Sequence, residues 1–170
     1  TVAVLLDDAR YQIHSDILIN GNLYANDLNY DWSGTEPTWC LGINYLLLRE
    51  PFRTYATKTQ PFPEAVSDVV VTMGGVDKQN RTPTVLSALD TLGFDVTVIV
   101  GPGFESGDEI RETASSLDCQ FTVREDPSDL PELFLNADLA VCTLGTTTYE
   151  LLATQTPIVG IPDNETPIDT

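Results

Sequence analysis

The sequence predicts an α/β protein in which a doubly wound parallel sheet is preceded by the remnant of another domain. Three observations carry this prediction. From residue 66 onward, short apolar runs alternate with segments of helical spacing, glycine-rich loops follow several of those runs, and an irregular aromatic stretch precedes them all. The chain has 170 residues and is 42% hydrophobic, which is enough to bury a core.

The first 63 residues are expected to form the end of one domain and a linker. Residues 2–6 are an apolar run that ends at Asp7 and Asp8, and residues 17–19 predict a second short strand before Asn20. Residues 23–63 mix aromatics with prolines and show no clear periodicity, which is typical of a segment between domains. We therefore predict domains at 1–63 and 64–170.

The second part shows the strand and helix alternation of a Rossmann-like domain. Each helix is expected to cross over between parallel strands in the right-handed sense. Ligands of such sheets bind outside the carboxyl ends of the strands. The predicted strands are 69–71, 96–100, 119–123, 139–142 and 158–161, and the predicted helices are 84–92, 108–117, 130–136 and 147–154.

The composition is strongly acidic. Lys and Arg together number 8 against 26 Asp and Glu, for a formal net charge of -18 and a pI of about 4.1. The acidic residues are scattered rather than collected in a tail, and lysine occurs only at Lys58 and Lys78. This pattern is typical of a salt-loving organism, whose ions screen such a surface. It disfavours nucleic acid as a partner, because phosphate backbones are bound by clustered Lys and Arg.

No apolar run approaches the roughly 18 residues of a membrane span. Cys40, Cys119 and Cys142 are too few and too widely spaced for a disulfide framework or a C-x-x-C metal site, so a cytoplasmic location is expected and no metal or cofactor is predicted. The chain begins with Thr1 and enters an apolar run directly, which suggests a start inside a domain of a larger protein.

Glycine-rich loops follow three predicted strands, at residues 72–77, 101–103 and 143–148. Glycine lets main-chain N–H groups approach an anion, and a following helix points its positive end at the same place. For each loop taken alone, a tight strand-to-helix turn is the better explanation. Three on one sheet edge, in a chain poor in cations, favour a diphosphate site built from the backbone.

Three polar residues near these loops have two interpretations each. A carboxylate at Glu150, one turn into a helix, suits both hydroxyls of a ribose, but Thr147-x-x-Glu150 also matches a capping box. Asp77 and Asn80 are candidates for the ligand site or for capping the helix near Thr82. The one histidine, His14, has no partner of assignable geometry and is not assigned a catalytic role.

Four segments resemble one family. They read VVVTMGGVDKQN at 69–80, ADLA at 137–140 with GTTTYE at 145–150, LINGNL at 18–23 and LGINYLLLR at 41–49. They are similar, in the family's order, to the UDP-sugar hydrolase of pseudaminic acid biosynthesis, often labelled a spore coat polysaccharide biosynthesis protein. That family has the two-domain GT-B fold, shared with the murein lipid-linked N-acetylglucosaminyltransferase.

The resemblance implies that the second domain binds a UDP-sugar. It would place Gly74 and Gly75 at the phosphates, the start of a helix at 145–148 on the diphosphate, and Glu150 on the ribose. Val76 and Glu165 depart from the family's usual Ser and Gln. The implied substrate-binding residues are Gly74, Gly75, Asp77, Asn80, Gly101, Val123 and Arg124 at the uracil loop, Leu144, Gly145, Thr146, Thr147, Thr148, Glu150, and Asn164 near the sugar.

The family's catalytic histidine belongs to a loop that would precede Thr1, so no catalytic residue is assigned and the chain is expected to bind nucleotide without turning it over. The function implied is the UDP-sugar-binding part of a hydrolase in surface-polysaccharide or nonulosonic acid biosynthesis. The alternatives are the donor-binding domain of a GT-B glycosyltransferase and a non-catalytic sugar-nucleotide-binding domain. The expected partners are the UDP-sugar and the N-terminal domain of the same protein.

Overall fold

The computed structural model describes residues 1–56, 62 and 64–162. The chain divides into two compact units, Thr1–Leu48 and Arg49–Thr170. The predicted domain boundary at 63/64 was argued from composition and stays a prediction. Among the described residues, no helix is both long and apolar enough to cross a membrane.

The first unit contains two small parallel sheets. One has the strand order β1 (Ala3–Leu5), β3 (Ile17–Asn20), β5 (Thr38–Leu41), and the other pairs β2 (Gln12–Ile13) with β4 (Asp31–Trp32). Leu18 is fully buried at the centre. The buried Asn20 side chain donates to the Tyr30 hydroxyl at 2.9 Å, so this polar group is satisfied inside the unit.

Residues 23–63 were expected to be irregular, and this was wrong for the described part of that segment. It contains β4, β5, two single 3₁₀ turns at Ala25–Asp27 and Ile43–Tyr45, and helix α1 (Glu50–Tyr55). Elements of two to six residues complete at most three strand alternations or two helical turns, so no hydrophobic period emerges from the sequence. The aromatics do pack together, with the Trp39 ring 5.5 Å from Tyr30 and 5.3 Å from Trp32.

The second unit is an α/β domain built on a five-stranded parallel sheet, as predicted. Its strand order is β10-β9-β6-β7-β8. After α1 its elements are β6 (Asp68–Thr72), α2 (Thr82–Leu89), β7 (Asp95–Val100), α3 (Gly107–Ser116), β8 (Phe121–Glu125), α4 (Leu130–Leu135), β9 (Leu139–Thr143), α5 (Thr146–Ala153) and β10 (Ile158–Ile161).

Consecutive valines place apolar side chains on both faces of a central strand, and helices cover both faces. In β6, Val69 and Val71 join the cluster that includes Leu86 of α2 and Ile110 of α3, while Val70 between them is also buried. Helices α1, α4 and α5 pack on one another, with the Phe52 and Phe134 rings 5.9 Å apart. The right-handed crossover rule places this second helix group on the opposite face from α2 and α3.

The direction of strand addition reverses once in the sheet. The chain moves outward from β6 through β7 to β8, then returns through α4 to β9 on the other side of β6. The topological switch point therefore lies between β6 and β9. In open α/β sheets the crevice at this point, outside the carboxyl ends of the strands, is where ligands bind.

Candidate functional site

The loops that follow β6 and β9 flank the switch point and lie against each other. A Cβ built on Gly74 would lie 3.8 Å from the Thr143 hydroxyl oxygen and 3.9 Å from that of Thr147. Gly74 has φ of +77°, a conformation that side chains disfavour, and its N–H makes a long 3.4 Å contact to Thr72 Oγ1. Glycine is therefore needed here to turn the chain at the end of β6.

The loop after β7 supports the β6 loop from the other side. A Cβ on Gly101 would lie 2.6 Å from the Gly74 carbonyl oxygen and 2.7 Å from that of Gly75, so no side chain fits. The Gly103 N–H donates to the Gly75 carbonyl at 3.0 Å. The two loops thus pack directly on each other, and this close backbone approach explains why position 101 is a glycine. The role of Gly101 as a ligand contact stays a prediction.

Open space and unpaired amides coincide at the switch point. A Cβ on Gly75 or Gly145 would meet nothing within 4 Å. Among the described residues, none accepts a hydrogen bond from the N–H of Gly75, Thr146 or Thr147. The last two belong to the first turn of α5, where helix geometry leaves N–H groups without intrahelical acceptors. The loop after β6 and the start of α5 therefore each leave main-chain donors available for a ligand.

The first turn of α5 is closed by Thr148. Gly145 is the extended N-cap residue, its N–H donates to Thr148 Oγ1 at 3.2 Å, and its carbonyl accepts from the Thr148 N–H at 3.0 Å. The capping-box interpretation of Thr147 and Glu150 was wrong, because the helix already begins at Thr146 and the Glu150 carboxylate is bonded elsewhere.

Glu150 is buried and paired with an arginine from α1's N-terminus. Its residue exposure is 5%, and its two carboxylate oxygens accept from Arg49 Nε at 2.6 Å and Nη2 at 2.9 Å. This hydrogen bond raises the pKa of the Arg49 guanidinium above its ordinary value, against the opposing effect of partial burial. The geometry is the bidentate one in which arginine binds carboxylates best.

Sequence reasoning missed Arg49 as a partner of Glu150, since 101 positions separate them. One signal was available. In a chain with 8 basic and 26 acidic residues, each arginine is a candidate partner for a carboxylate. Only the fold supplies the answer, by packing α1 against α5.

Asp77 and Asn80 have different roles. Asp77 caps α2: Oδ2 accepts from the N–H and hydroxyl of Thr82 at 2.8 and 2.7 Å, and Oδ1 accepts from the Arg81 N–H at 2.9 Å. Asn80 does not cap that helix; its amide joins Ser106 and Glu109 at the start of α3, both at 2.9 Å. The capping interpretation is thus confirmed for Asp77 and wrong for Asn80.

Of the remaining predicted residues, two lie on β8, one begins the loop after β9, and one is outside the described part. Val123 and Arg124 lie within β8, which runs to Glu125, so the loop expected there begins at Asp126; Arg124 pairs with Asp129 at 2.8 Å. Leu144 is 48% exposed, and its side chain packs against Gly160. Asn164 and Glu165 lie outside the described residues.

A cavity of about 590 Å³ opens on the other side of the β6 loop, towards α3. Its lining includes four carboxylates and one lysine, so its field repels a diphosphate. These charged residues are Asp77, Glu105, Asp108, Glu109 and Lys78. The β6 and β9 side is therefore the better place for an anion. Within the described residues, no group of three or more His, Cys, Asp or Glu side chains is arranged to hold a metal ion.

Comparison with known proteins gives similarities both to a curated sequence and to a solved structure. No protein-family model matches the chain. It is 26% identical over 163 residues to "Uncharacterized protein MJ1062" of Methanocaldococcus jannaschii, an alignment that covers 89% of this chain and 33% of that protein. The chain thus spans about a third of the relative's length. Among solved structures it is similar to MurG of Acinetobacter baumannii, with a TM-score of 0.45 and 10% identity, over 86% of this chain and 47% of the other.

Proposed function

We propose that residues 49–170 bind the nucleoside diphosphate portion of a nucleotide sugar, with a UDP-sugar as the ligand. The observation that carries this proposal is the coincidence, at the switch point, of open glycines, main-chain N–H groups that have no acceptor within the described part of the chain, and a buried carboxylate one turn into α5. The diphosphate would lie on the amides of Gly75, Thr146 and Thr147, and the ribose on Glu150.

Main-chain donors suffice for this anion. The dipole of one helix stabilises a negative group by about 0.3–1 kcal/mol, whereas each hydrogen bond to a charged group contributes about 1.5–3 kcal/mol. Three unpaired N–H groups therefore outweigh the dipole, and they do so without a lysine. A protein of net charge -18 has few Lys and Arg residues from which to build a cationic pocket, so binding through the backbone is the simpler arrangement.

In the whole protein we place this site in a nucleotide-sugar hydrolase of surface-polysaccharide or nonulosonic acid biosynthesis, acting in the cytoplasm. Water would attack the sugar while the backbone cradle stabilises the leaving diphosphate. A glycosyltransferase would use the same donor site with a sugar or lipid acceptor. The products formed by the full-length protein, with and without an acceptor, separate the two reactions.

Calorimetric titration with UDP, UMP and CDP at high salt tests the binding proposal. We expect UDP to bind most tightly, because UMP lacks the second phosphate and CDP has a different base. Gly75→Ala, which introduces a methyl group into open space, should weaken UDP binding about tenfold while leaving the melting temperature nearly unchanged. Gly107→Ala, whose methyl group makes an ordinary 3.8 Å contact to Val100, is the matched control and should bind normally. Equal binding by both variants would contradict the proposed site.

A further inference from the structure

We propose that one face of the three-stranded sheet β1-β3-β5 is covered, in the full-length protein, by an amphipathic helix of the same polypeptide. Strand register and the alternation of side chains place two rows of three residues on this face, which we call the open face. The rows are Ala3, Ile17 and Thr38, and Leu5, Ile19 and Cys40. The inference is independent of the proposed nucleotide site, because all six residues belong to the first unit.

The opposite face of this sheet is occupied by the two connections that join its strands. On that face, the Asn20 amide donates to the Tyr30 hydroxyl at 2.9 Å, and the Trp39 ring lies 5.3 Å from Trp32. Tyr30 and Trp32 belong to the connection between β3 and β5. Its strand β4 pairs with β2, which lies in the connection between β1 and β3. Both connections therefore lie on one side, as right-handed crossovers that proceed in one direction require.

The open face is exposed to solvent although none of its six residues is charged. Leu5 is 55% exposed, and Ile19 beside it is half-buried, whereas Leu18 on the opposite face is fully buried. In a chain with 26 acidic and 8 basic residues, an uncharged cluster of this kind is not the usual solvated surface. Parallel strands that are buried on both faces have continuous apolar runs, and β1 reads AVL while β3 begins with ILI. The sequence of these strands is thus typical of a sheet that is covered on both sides.

The size of the open face favours a helix over a second copy of the chain. Three strands about 4.8 Å apart, each three or four residues long at about 3.3 Å per residue, present on the order of 150–200 Å². A stable dimer buries about 800 Å² on each partner, so this face alone would not hold two copies together. An α-helix is about 10 Å across, and two to three of its turns are about 11–16 Å long, which matches the face.

A segment of the same polypeptide can bind through so small a contact because it is tethered. A tether gives the segment an effective concentration in the millimolar range, so that weak contacts suffice. The relative from Methanocaldococcus jannaschii is about three times as long as the stretch that it shares with this chain, so additional chain is available in a protein of that kind. The docking side of the helix should carry apolar residues at the i, i+3, i+4, i+7 spacing.

Cys40 lies within the open face and reports on its cover. We would treat the 170-residue chain and the full-length protein with N-ethylmaleimide under native conditions, and measure the labelling rate of each cysteine by mass spectrometry of peptides. Cys119, a half-buried thiol of the second unit, is the internal reference. We expect the ratio of the Cys40 rate to the Cys119 rate to be at least about tenfold lower in the full-length protein, at every protein concentration.

Leu5→Glu introduces a charge into the same face. In the 170-residue chain the melting temperature should stay nearly unchanged, because water solvates the carboxylate. In the full-length protein it should fall by on the order of 5–10 °C, because the helix would cover the charge. Leu92→Glu is the matched control: Leu92 is 56% exposed, belongs to the second unit and should tolerate the charge in both proteins.

Equal labelling ratios in the two proteins would show that the face stays open, and would overturn the inference. This experiment uses unmodified proteins, so it holds even if a variant does not fold. An equal effect of Leu5→Glu on both proteins would also overturn it. Protection of Cys40 that grows with protein concentration, together with a dimer in sedimentation velocity, would place a second copy on the face and contradict the helix. None of these results bears on UDP binding, which the titrations test separately.

Discussion

At the scale of single residues, the two partners of the Arg49–Glu150 ion pair differ widely in exposure to solvent. The Glu150 side chain is 7% exposed and that of Arg49 is 59% exposed. Removing the arginine leaves a desolvated carboxylate without its cation, whereas neutralising the glutamate leaves an arginine that water can solvate. Removing Arg49 should therefore lower the free energy of unfolding more than neutralising Glu150.

We expect Arg49→Ala to lower the free energy of unfolding by about 2–3 kcal/mol and Glu150→Gln by about 1 kcal/mol. Glutamine keeps the shape of the side chain and one acceptor for the guanidinium. Urea denaturation at neutral pH, fitted to a two-state transition, measures both values. An equal or reversed order would show that the carboxylate is less desolvated than its burial indicates.

Gly101→Ala is predicted to destabilise the second unit by about 1–3 kcal/mol, because its methyl group would collide with two carbonyl oxygens. Gly75→Ala, in the neighbouring loop, meets nothing and should change stability by less than about 0.5 kcal/mol. Thermal melts of both variants make the comparison. Similar losses would mean that the loops after β6 and β7 are not packed as described.

At the scale of elements, the sheet was predictable and the contacts of its loops were not. The composition of residues 69–71 alone predicts a buried strand. Asp77 lies just before α2 in the sequence and caps it, so this contact is local. The packing of Gly101 on the β6 loop and the pairing of Glu150 with Arg49 are long-range, so no local pattern encodes them. The division of roles between Asp77 and Asn80 likewise depends on where α3 lies.

The starts of β6 and β9 are joined by one carboxylate. Asp138 Oδ2 accepts from the Ser67 N–H at 2.8 Å, from the Asp68 N–H at 3.0 Å and from the Ser67 hydroxyl at 3.0 Å. The Asp68 N–H, followed by the two Ser67 groups, lowers the pKa of Asp138 from its ordinary value of 3.8. The ionised form is therefore the one that the folded state prefers.

A carboxylate whose pKa is lowered by folding stabilises the fold above its unfolded pKa, and this contribution disappears as the pH falls through the folded value. Asp138→Asn should accordingly lower the urea midpoint at pH 6–7, and the difference from the wild type should shrink as the pH drops below 3.8. Denaturation curves across this range test the prediction. A difference that is constant with pH would mean that the lost contacts do not depend on charge.

At the scale of the whole molecule, the formal net charge of -18 makes stability depend on salt. The Debye length falls from about 10 Å at 0.1 M to about 3 Å at 1 M salt, so repulsion among surface carboxylates is largely screened at the higher concentration. The oppositely charged groups of the ion pairs in the second unit are in contact, so salt weakens their attraction less than it weakens the repulsion between distant carboxylates.

The melting temperature at pH 7 is predicted to rise by at least on the order of 5 °C between 0.1 and 2 M KCl. Near pH 4.1, where the net charge is close to zero, the same change of salt should have little effect. Calorimetric scans at the two pH values make the comparison. A rise of equal size at both would point to general salting-out rather than relief of repulsion.

The proposed role of the main-chain amides at the β6–β9 switch point is to hold a diphosphate, and their chemical shifts report on it directly. In a ¹⁵N-labelled chain titrated with UDP, the largest shifts should fall on Gly75, Thr146 and Thr147. Pyrophosphate alone should move the same signals and uridine should not. Shifts confined to the acidic cavity beside α3, or saturation by UDP that leaves these three amides unmoved, would contradict this role.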